Sequence, residues 1–243
     1  MNLKIVLEYD GRGFVGWQQQ ANGRSVEAEL KRALRELTGT DVKVYAAGRT
    51  DAGAHAEGQV VSFVTDGRIS PRKMVAALNV RLPEDVTVVS AESVPAEFHA
   101  RYSARWRRYR YRLLDRPSRP ALDRGRCWHI RGQLDVDAMS RAAGALAGKH
   151  DWTTFCSASE PAGDRVREMR WVHVRRRGEY VEIELVGEGF LRGLARGLAG
   201  ALAEVGRGRR PPEWVAELLA ARDRRQAPRT APAGGLTLVE VIY

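Results

Sequence analysis

The sequence predicts two successive α+β units, residues 1–104 and 105–243, and three observations carry that reading. Short alternating or apolar runs that suit strands are interleaved with stretches whose apolar residues recur at helical spacing. The same mixture begins afresh near residue 103. The charge balance also changes there: residues 1–104 hold 13 Lys+Arg against 13 Asp+Glu, whereas residues 105–243 hold 27 against 17. Strand and helix segments mixed in this way fit layered α+β units.

In the first unit, residues 3–9 (LKIVLEY) read as a strand ended by Asp10-Gly11. Ser25 suits a helix N-cap and Glu27 the positive end of that helix. Val26, Leu30, Ala33, Leu34 and Leu37 supply its apolar stripe. Residues 42–46 and 58–65 read as strands. Ser70-Pro71, a cap followed by proline at the first helical position, opens a helix over 71–80, and 85–94 returns as a strand.

In the second unit, 105–113 is a strand rich in arginine and tyrosine. Alternation places Arg107, Tyr109, Tyr111 and Leu113 on one face and Trp106, Arg108, Arg110 and Arg112 on the other. Residues 134–146 read as a helix ended at Gly148, and 169–176 with 180–186 as a hairpin around Gly178. A long helix is expected over 189–205, stopped by Gly206, with Phe190, Leu191, Leu194, Leu198 and Leu202 as its stripe. On it Arg192 and Arg196, four apart, share a face, a like-charge pair that an anionic partner would relieve. Pro211-Pro212 opens a short helix through Ala221, and LTLVEVIY closes the chain as a strand. Residues 115–126 and 157–165 read as linkers.

Composition narrows the class. At 44% hydrophobic the chain has material for a sizeable core. No run of about 18 apolar residues is present, so no membrane helix is expected. The start, MNLKIVLEYDG, lacks the layout of a secretory leader, which points to a cytoplasmic protein. Cys127 and Cys156 are too few for a disulfide framework, and Cys127-x-His129 lacks the further ligands of a zinc site. The net charge of +10 lies wholly in the second unit and is carried by arginine, with Lys149 its single lysine. Arginine grips phosphate bidentately and stacks on bases, so a polyanionic partner is one reading. An arginine-rich genome is the other.

Gly11-Arg12-Gly13-Phe14-Val15-Gly16 is a literal GxGxxG after a strand. A dinucleotide site requires a helix to open within that loop, yet the chain runs on through Trp17-Gln18-Gln19-Gln20 and Asn22-Gly23. A nucleotide cofactor is therefore not expected. The glycines read instead as a tight turn that lets the backbone pass close to another segment.

The segment richest in chemistry is Gly48-Arg49-Thr50-Asp51-Ala52-Gly53-Ala54-His55, a glycine-bracketed loop between two strands. A guanidinium beside Asp51 would favour an ionised carboxylate, available as nucleophile or base. Spacing alone equally allows a salt-bridged, side-chain-capped turn.

This octapeptide resembles the GRTDAGVH signature of the TruA-type tRNA pseudouridine synthases. Tyr9-Asp10-Gly11 with Phe14 and Gly16-Trp17-Gln18 resembles the family's opening YDGxxFxGWQ. Leu82-Pro83-Glu84-Asp85, Phe98-His99-Ala100-Arg101, Arg108-Tyr109-Arg110-Tyr111, His150-Asp151-Trp152 and Ala231-Pro232-Ala233 with Gly234-Gly235-Leu236 follow in the family's order. The resemblance spans essentially the whole chain. Two departures stand out: Ala54 replaces valine, and Leu194-Ala195 replaces Met-Val in the pattern FLxxMVRxxxG.

The resemblance implies two related ferredoxin-like or RRM-like α+β domains, with joined, antiparallel-rich sheets and a basic cleft between them. It implies isomerisation of uridine to pseudouridine in the anticodon stem-loop of tRNA, at positions 38–40, by a homodimer and without a cofactor or metal. Asp51 matches the family's catalytic aspartate. Arg49 matches the motif arginine, which would keep Asp51 ionised and take the place of the flipped-out base. Tyr109 matches the tyrosine that holds the uracil, and Arg196 is expected near Asp51 or a phosphate. Arg107, Arg110 and Arg192 are expected to touch RNA, and Arg175, Arg176, Arg177, Arg207, Arg209 and Arg210 are candidates for phosphate contacts. The competing reading is a basic RNA-binding or RNA-chaperone protein without catalysis.

Overall fold

The computed structural model describes residues 1–67, 69–160 and 163–243. Residues 161 and 162, inside the linker expected over 157–165, lie outside the described residues. The elements in chain order are β1 (Asn2–Tyr9), α1 (Val26–Thr38), β2 (Val44–Ala46), β3 (His55–Val64), α2 (Pro71–Asn79), β4 (Val86–Val94), β5 (Trp106–Leu114), β6 (Trp128–His129), α3 (Val136–Ala143), β7 (Gly148–Asp151), β8 (Val166–Arg177), β9 (Tyr180–Gly187), α4 (Leu194–Gly206), α5 (Trp214–Ala221) and β10 (Leu236–Ile242). They form two compact units, Met1–Arg105 with Leu238–Tyr243, and Trp106–Thr237. Both are α+β, as the sequence predicts.

In the first unit the strands run β4-β1-β3-β10, with β2 also on β3. β1 lies antiparallel between β3 and β4. Its alternate residues Leu3, Ile5, Leu7 and Tyr9 are buried, the half-covered pattern of an amphipathic strand. Helix α1 begins where Ser25 accepts the Ala28 N–H, and Gly39, at φ 75°, ends it. Val26, Leu30, Ala33 and Leu34 are buried along its stripe. Ser70 holds the N-cap position of α2 with no side-chain bond, so Pro71 is what starts that helix. The closing strand, expected with the second unit, belongs mostly to the first. A Cβ on Gly58 would lie 2.4 Å from the Val239 carbonyl oxygen, so the missing side chain lets β10 approach β3.

In the second unit the order is β5-β9-β8-β7, with β6 parallel to β5. The hairpin forms as expected, Arg177 pairing with Tyr180 around Gly178 at φ 59°. α3 packs on α4 and on β8. The long helix is shorter than its apolar spacing suggests. Gly193 sits at φ 75° and α4 starts at Leu194. Phe190, Leu191 and Arg192 therefore precede the helix, and Arg192 does not share a helical face with Arg196. The Arg192 carbonyl accepts the Ser157 N–H at 2.7 Å, and its own N–H donates to Glu160 at 2.7 Å. These bonds fix a turn that a continuous helix would break.

The second unit also neutralises much of its charge internally. Arg176 donates to both oxygens of Asp115, at 2.8 and 2.7 Å, and Asp115 additionally accepts the Leu134 N–H. Burial pushes the Asp115 carboxyl up. The Arg176 hydrogen bonds, the Leu134 N–H and the guanidinium charge outweigh it and hold the group below the ordinary carboxylate range. A depressed folded value stabilises above the unfolded pKa of about 3.9, and that contribution disappears as pH falls through the folded value. Asp115→Asn is expected to cost about 2 kcal/mol at neutral pH. In urea titrations the gap between variant and wild type should close below about pH 4.

Candidate active site

The loop of residues 48–54 joins β2 to β3 and is held from two sides. On one side is the glycine turn that follows β1. A Cβ on Gly11 would lie 1.9 Å from the Ala54 carbonyl oxygen, and one on Gly16, at φ 115°, 2.8 Å from that of Thr50. Backbone meets backbone there: the Trp17 N–H donates to Thr50 O at 3.1 Å, and the Gly53 N–H to Phe14 O at 3.2 Å. The GxGxxG segment thus serves as a bracket for the carboxylate loop. It does not open a nucleotide-binding helix: a single 3-10 turn, Gly11–Gly13, follows β1, and α1 starts only at Val26. The turn is itself anchored. Asp85 accepts two bonds from Arg24, at 2.7 and 2.9 Å, and Arg24 lies over the Phe14 ring at 4.3 Å.

The second support comes from below. The Tyr9 hydroxyl, fully buried, bonds Thr50 Oγ1 at 2.8 Å. Gln59 Nε2 donates to Tyr9 Oη at 3.5 Å and to the Gly48 carbonyl at 2.7 Å. In the Tyr9–Thr50 bond either hydroxyl can be the donor. Burial raises the Tyr9 pKa to about 12 against the smaller opposing effect of Thr50 and Gln59, so the Tyr9 hydroxyl keeps its proton at neutral pH. Thr50 is 7% exposed and Gln59 fully buried. His55 is buried as well, and its Nδ1 accepts the Gly11 N–H at 3.1 Å. Asp10 Oδ1 lies 3.3 Å from the same nitrogen. With Nδ1 used as an acceptor that contact is no hydrogen bond, and the Asp10 carboxylate is engaged by Arg12 at 2.6–3.2 Å. His55 orders the loop.

Asp51 sits between these supports. It is half-buried, and its carbonyl accepts the Ala54 N–H at 3.1 Å. Arg49 is exposed and, among the described residues, forms no ion pair or hydrogen bond. The expected Arg49–Asp51 pairing is therefore not made, and the guanidinium faces solvent instead. What the loop presents is one carboxylate on a backbone fixed by four neighbouring contacts, beside one arginine available to a ligand.

The residues expected to act from the second unit lie on β5, on α4 and in the turn before α4. Tyr109 is 5% exposed and meets Phe190 edge-on, ring centroids 4.6 Å apart. Arg107 shares its buried face and donates to the Glu188 carbonyl. Arg110 is on the opposite face, in register with Glu184 of β9. Arg196, on α4, donates through Nε to the Ala231 carbonyl at 2.8 Å, while its own carbonyl accepts the Ala231 N–H. The Ala231–Gly235 segment is thereby tied to α4, and the Tyr111 hydroxyl bonds the Pro232 carbonyl at 2.7 Å. Arg192 is exposed in the turn before α4.

Most of the arginines expected at phosphates are engaged within the chain. Arg175 pairs with Glu182 and Glu184, Arg177 with Glu182, and Arg207 and Arg209 with Glu204, while Arg176 holds Asp115. Of those six, Arg210 has an aromatic neighbour, Trp214, rather than a carboxylate. Among the described residues no three His, Cys, Asp or Glu side chains group as metal ligands, and no helix is long and apolar enough to cross a membrane.

The family model described as tRNA pseudouridine synthase matches residues 5–103 and 142–243. The chain belongs to this family. It is 46% identical over 242 residues to tRNA pseudouridine synthase A of Myxococcus xanthus, covering 99% of this chain and 91% of that protein. To the proteins of the same name from Brevibacillus brevis and Moorella thermoacetica it is 43% identical, each match covering 99% of both chains. Its reaction is the isomerisation of uridine to pseudouridine in tRNA, and the non-catalytic reading is not favoured. The matched stretches of the synthase model include the Tyr9–Gln59 segment in one and the Arg196–Leu236 segment in the other.

Sequence reasoning missed the Tyr9–Thr50–Gln59 chain and the Phe190 contact. The first had a visible signal, since Gln59 opens the mostly apolar run QVVSFV, where a polar side chain needs a partner. Tyr9→Phe should leave the fold intact but remove the bond that seats Thr50 next to Asp51. The expected result is a fall in kcat of roughly tenfold, about 1.4 kcal/mol, with little change in KM for tRNA, read by release of label from C5 of uridine.

Proposed function

We propose that Asp51 is the catalytic group and that the target is a uridine in the anticodon stem-loop of tRNA, at positions 38–40. The observation that carries the catalytic assignment is the bracketed loop. It spends two glycine contacts, a buried tyrosine, a buried glutamine and a histidine on fixing a single half-exposed carboxylate.

The chemistry is a rearrangement within one nucleotide. The C1′–N1 bond breaks, the uracil turns, C1′ bonds C5, the C5 proton leaves and N1 gains a proton, so no redox or group-carrying cofactor is required. Asp51 can attack C1′, abstract the C2′ proton to give a glycal, or stabilise positive charge developing on the sugar. Each route needs an ionised carboxylate at fixed distance from the ribose, which is what a rigid loop supplies. Reaching the ribose requires the nucleotide to leave its stack. Arg49, exposed and unpaired, is suited to fill the place of the extruded base.

Tyr109 offers a ring for the uracil and a hydroxyl able to take the C5 proton. The ring is almost covered and meets Phe190 edge-on, so Phe190 must shift for a base to stack there. Arg196 is held through Nε by the Ala231 carbonyl, and exposed Arg192 suits a phosphate. Arg107, which donates to the Glu188 carbonyl, and Arg110, on the opposite face of β5, are candidates for RNA contact. The working form is a cytoplasmic homodimer, on the strength of the family resemblance.

With a transcribed tRNA carrying uridines at 38–40, wild type should form pseudouridine there, detected as carbodiimide adducts because product and substrate have the same mass. Asp51→Ala should bind the same tRNA within about twofold and form none, a loss of at least about 10⁴ in rate. Turnover by the variant, or modification confined to another arm of the tRNA, would remove the assignment.

A further inference from the structure

The second unit carries a cavity of its own at the far end of α4. Arg207 on its wall lies roughly 16 Å along the helix axis from Arg196 at 1.5 Å per residue, while Thr230 and Pro232, which flank the Ala231 that Arg196 bonds, line its other side. The cavity holds about 640 Å³, ample for one nucleotide-sized ligand. Two indoles line it, Trp128 of β6 and Trp214 at the start of α5. Four arginines, Arg207, Arg209, Arg210 and Arg229, share the wall with one carboxylate, Glu204.

The arrangement is ordered. Glu204 holds Arg207 at 3.0 Å and Arg209 at 3.3 Å. Arg207 lies over the Trp128 ring and Arg210 over the Trp214 ring, each at 5.1 Å. Neither Arg210 nor Arg229 has a carboxylate partner among the described residues, and both are exposed. The cavity wall is therefore net cationic, with planar groups beside the charge. A bare anion would leave the two indoles unused, and an apolar ligand would leave the guanidinia unanswered. A nucleotide satisfies both: phosphate against the unpaired arginines, base against the indole and guanidinium planes.

We infer that this cavity seats one unpaired nucleotide of the bound tRNA other than the reacting uridine. The inference rests on the proposed RNA substrate. It assigns the cavity the task of positioning the RNA, with Arg210 and Arg229 as the phosphate contacts and Trp214 as the stacking partner.

The test uses full-length protein and tRNA, with Kd measured by filter binding at several salt concentrations. The double variant Arg210→Ala/Arg229→Ala should bind roughly tenfold more weakly, and its slope of log Kd against log salt should fall by about one to two. Arg210→Lys/Arg229→Lys, which keeps the charge, should keep the slope. Trp214→Ala should weaken binding by a similar factor with the slope unchanged, since it removes stacking and not charge. Unchanged Kd and slope in the Ala double variant would overturn the inference. So would a changed molecular mass with an unchanged slope, which would make the cavity a subunit contact, or a cavity that binds free UMP while tRNA binding ignores the substitutions. Wild-type pseudouridine formation keeps the two ideas apart: activity with indifferent variants sinks the cavity alone, whereas weakened variants beside an inactive wild type sink the proposed reaction alone.

Discussion

Everything proposed for the first unit depends on one close approach, that of the glycine turn after β1 to the loop after β2. At Gly11 and Gly16 there is no room for a side chain, and two backbone hydrogen bonds run across the contact. The neighbouring chain segments are arranged around it. Helix α1 donates its first N–H groups, from Val26 and Glu27, to the carbonyls of Gly16 and Trp17, so the turn is also the start of the helix. Asp85, just before β4, holds Arg24, and the Asp85 carbonyl accepts the Asp10 N–H. A loop carrying a reactive carboxylate would ordinarily be among the more mobile parts of a protein. Here the loop is fastened to two strands, through Tyr9 and Gln59, and to the glycine turn at once, which lowers the reorganisation needed before reaction.

The second unit handles charge in two ways. Where arginines face glutamates in strand register, as Arg175 does with Glu182, or where a buried aspartate collects one, as Asp115 does with Arg176, the charge is consumed in holding the sheet and its helices together. Such cations have their donors committed and offer little to RNA. Arg192 before α4, and Arg210 and Arg229 around the cavity, are exposed and lack that commitment. A net charge of +10 thus overstates the number of phosphate contacts, and the salt dependence of binding should reflect the smaller, uncommitted set.

Local rules made much of this legible. β1, α1 with its Ser25 cap, β4, β5 and the β8–β9 hairpin follow from alternation, capping and turn chemistry, and the family signature singled out the Asp51 loop. The failures have physical causes. The stripe Phe190, Leu191, Leu194 and Leu198 keeps helical spacing across Gly193, so periodicity cannot reveal that a left-handed glycine ends the turn before the helix begins. The destination of β10 depends on the missing side chain of Gly58, a long-range contact with no local trace. Asp115 and Arg176 are 61 residues apart, and nothing near either one announces the pair. The Arg49–Asp51 pairing was inferred from adjacency, but two residues apart in a loop set no common direction for their side chains.

The claim at the centre of the account is that the bracket fixes where the Asp51 carboxylate lies, and that this position, beyond its charge, makes turnover possible. Asp51→Glu tests it most directly, because it keeps the charge and moves the carboxylate by one methylene on an otherwise unaltered loop. Single-turnover pseudouridine formation at saturating tRNA is the quantity to measure. The account predicts a rate at least about 100-fold below wild type with tRNA affinity preserved. A rate close to wild type would mean that a carboxylate anywhere nearby suffices, and that the clamped loop serves stability and not chemistry.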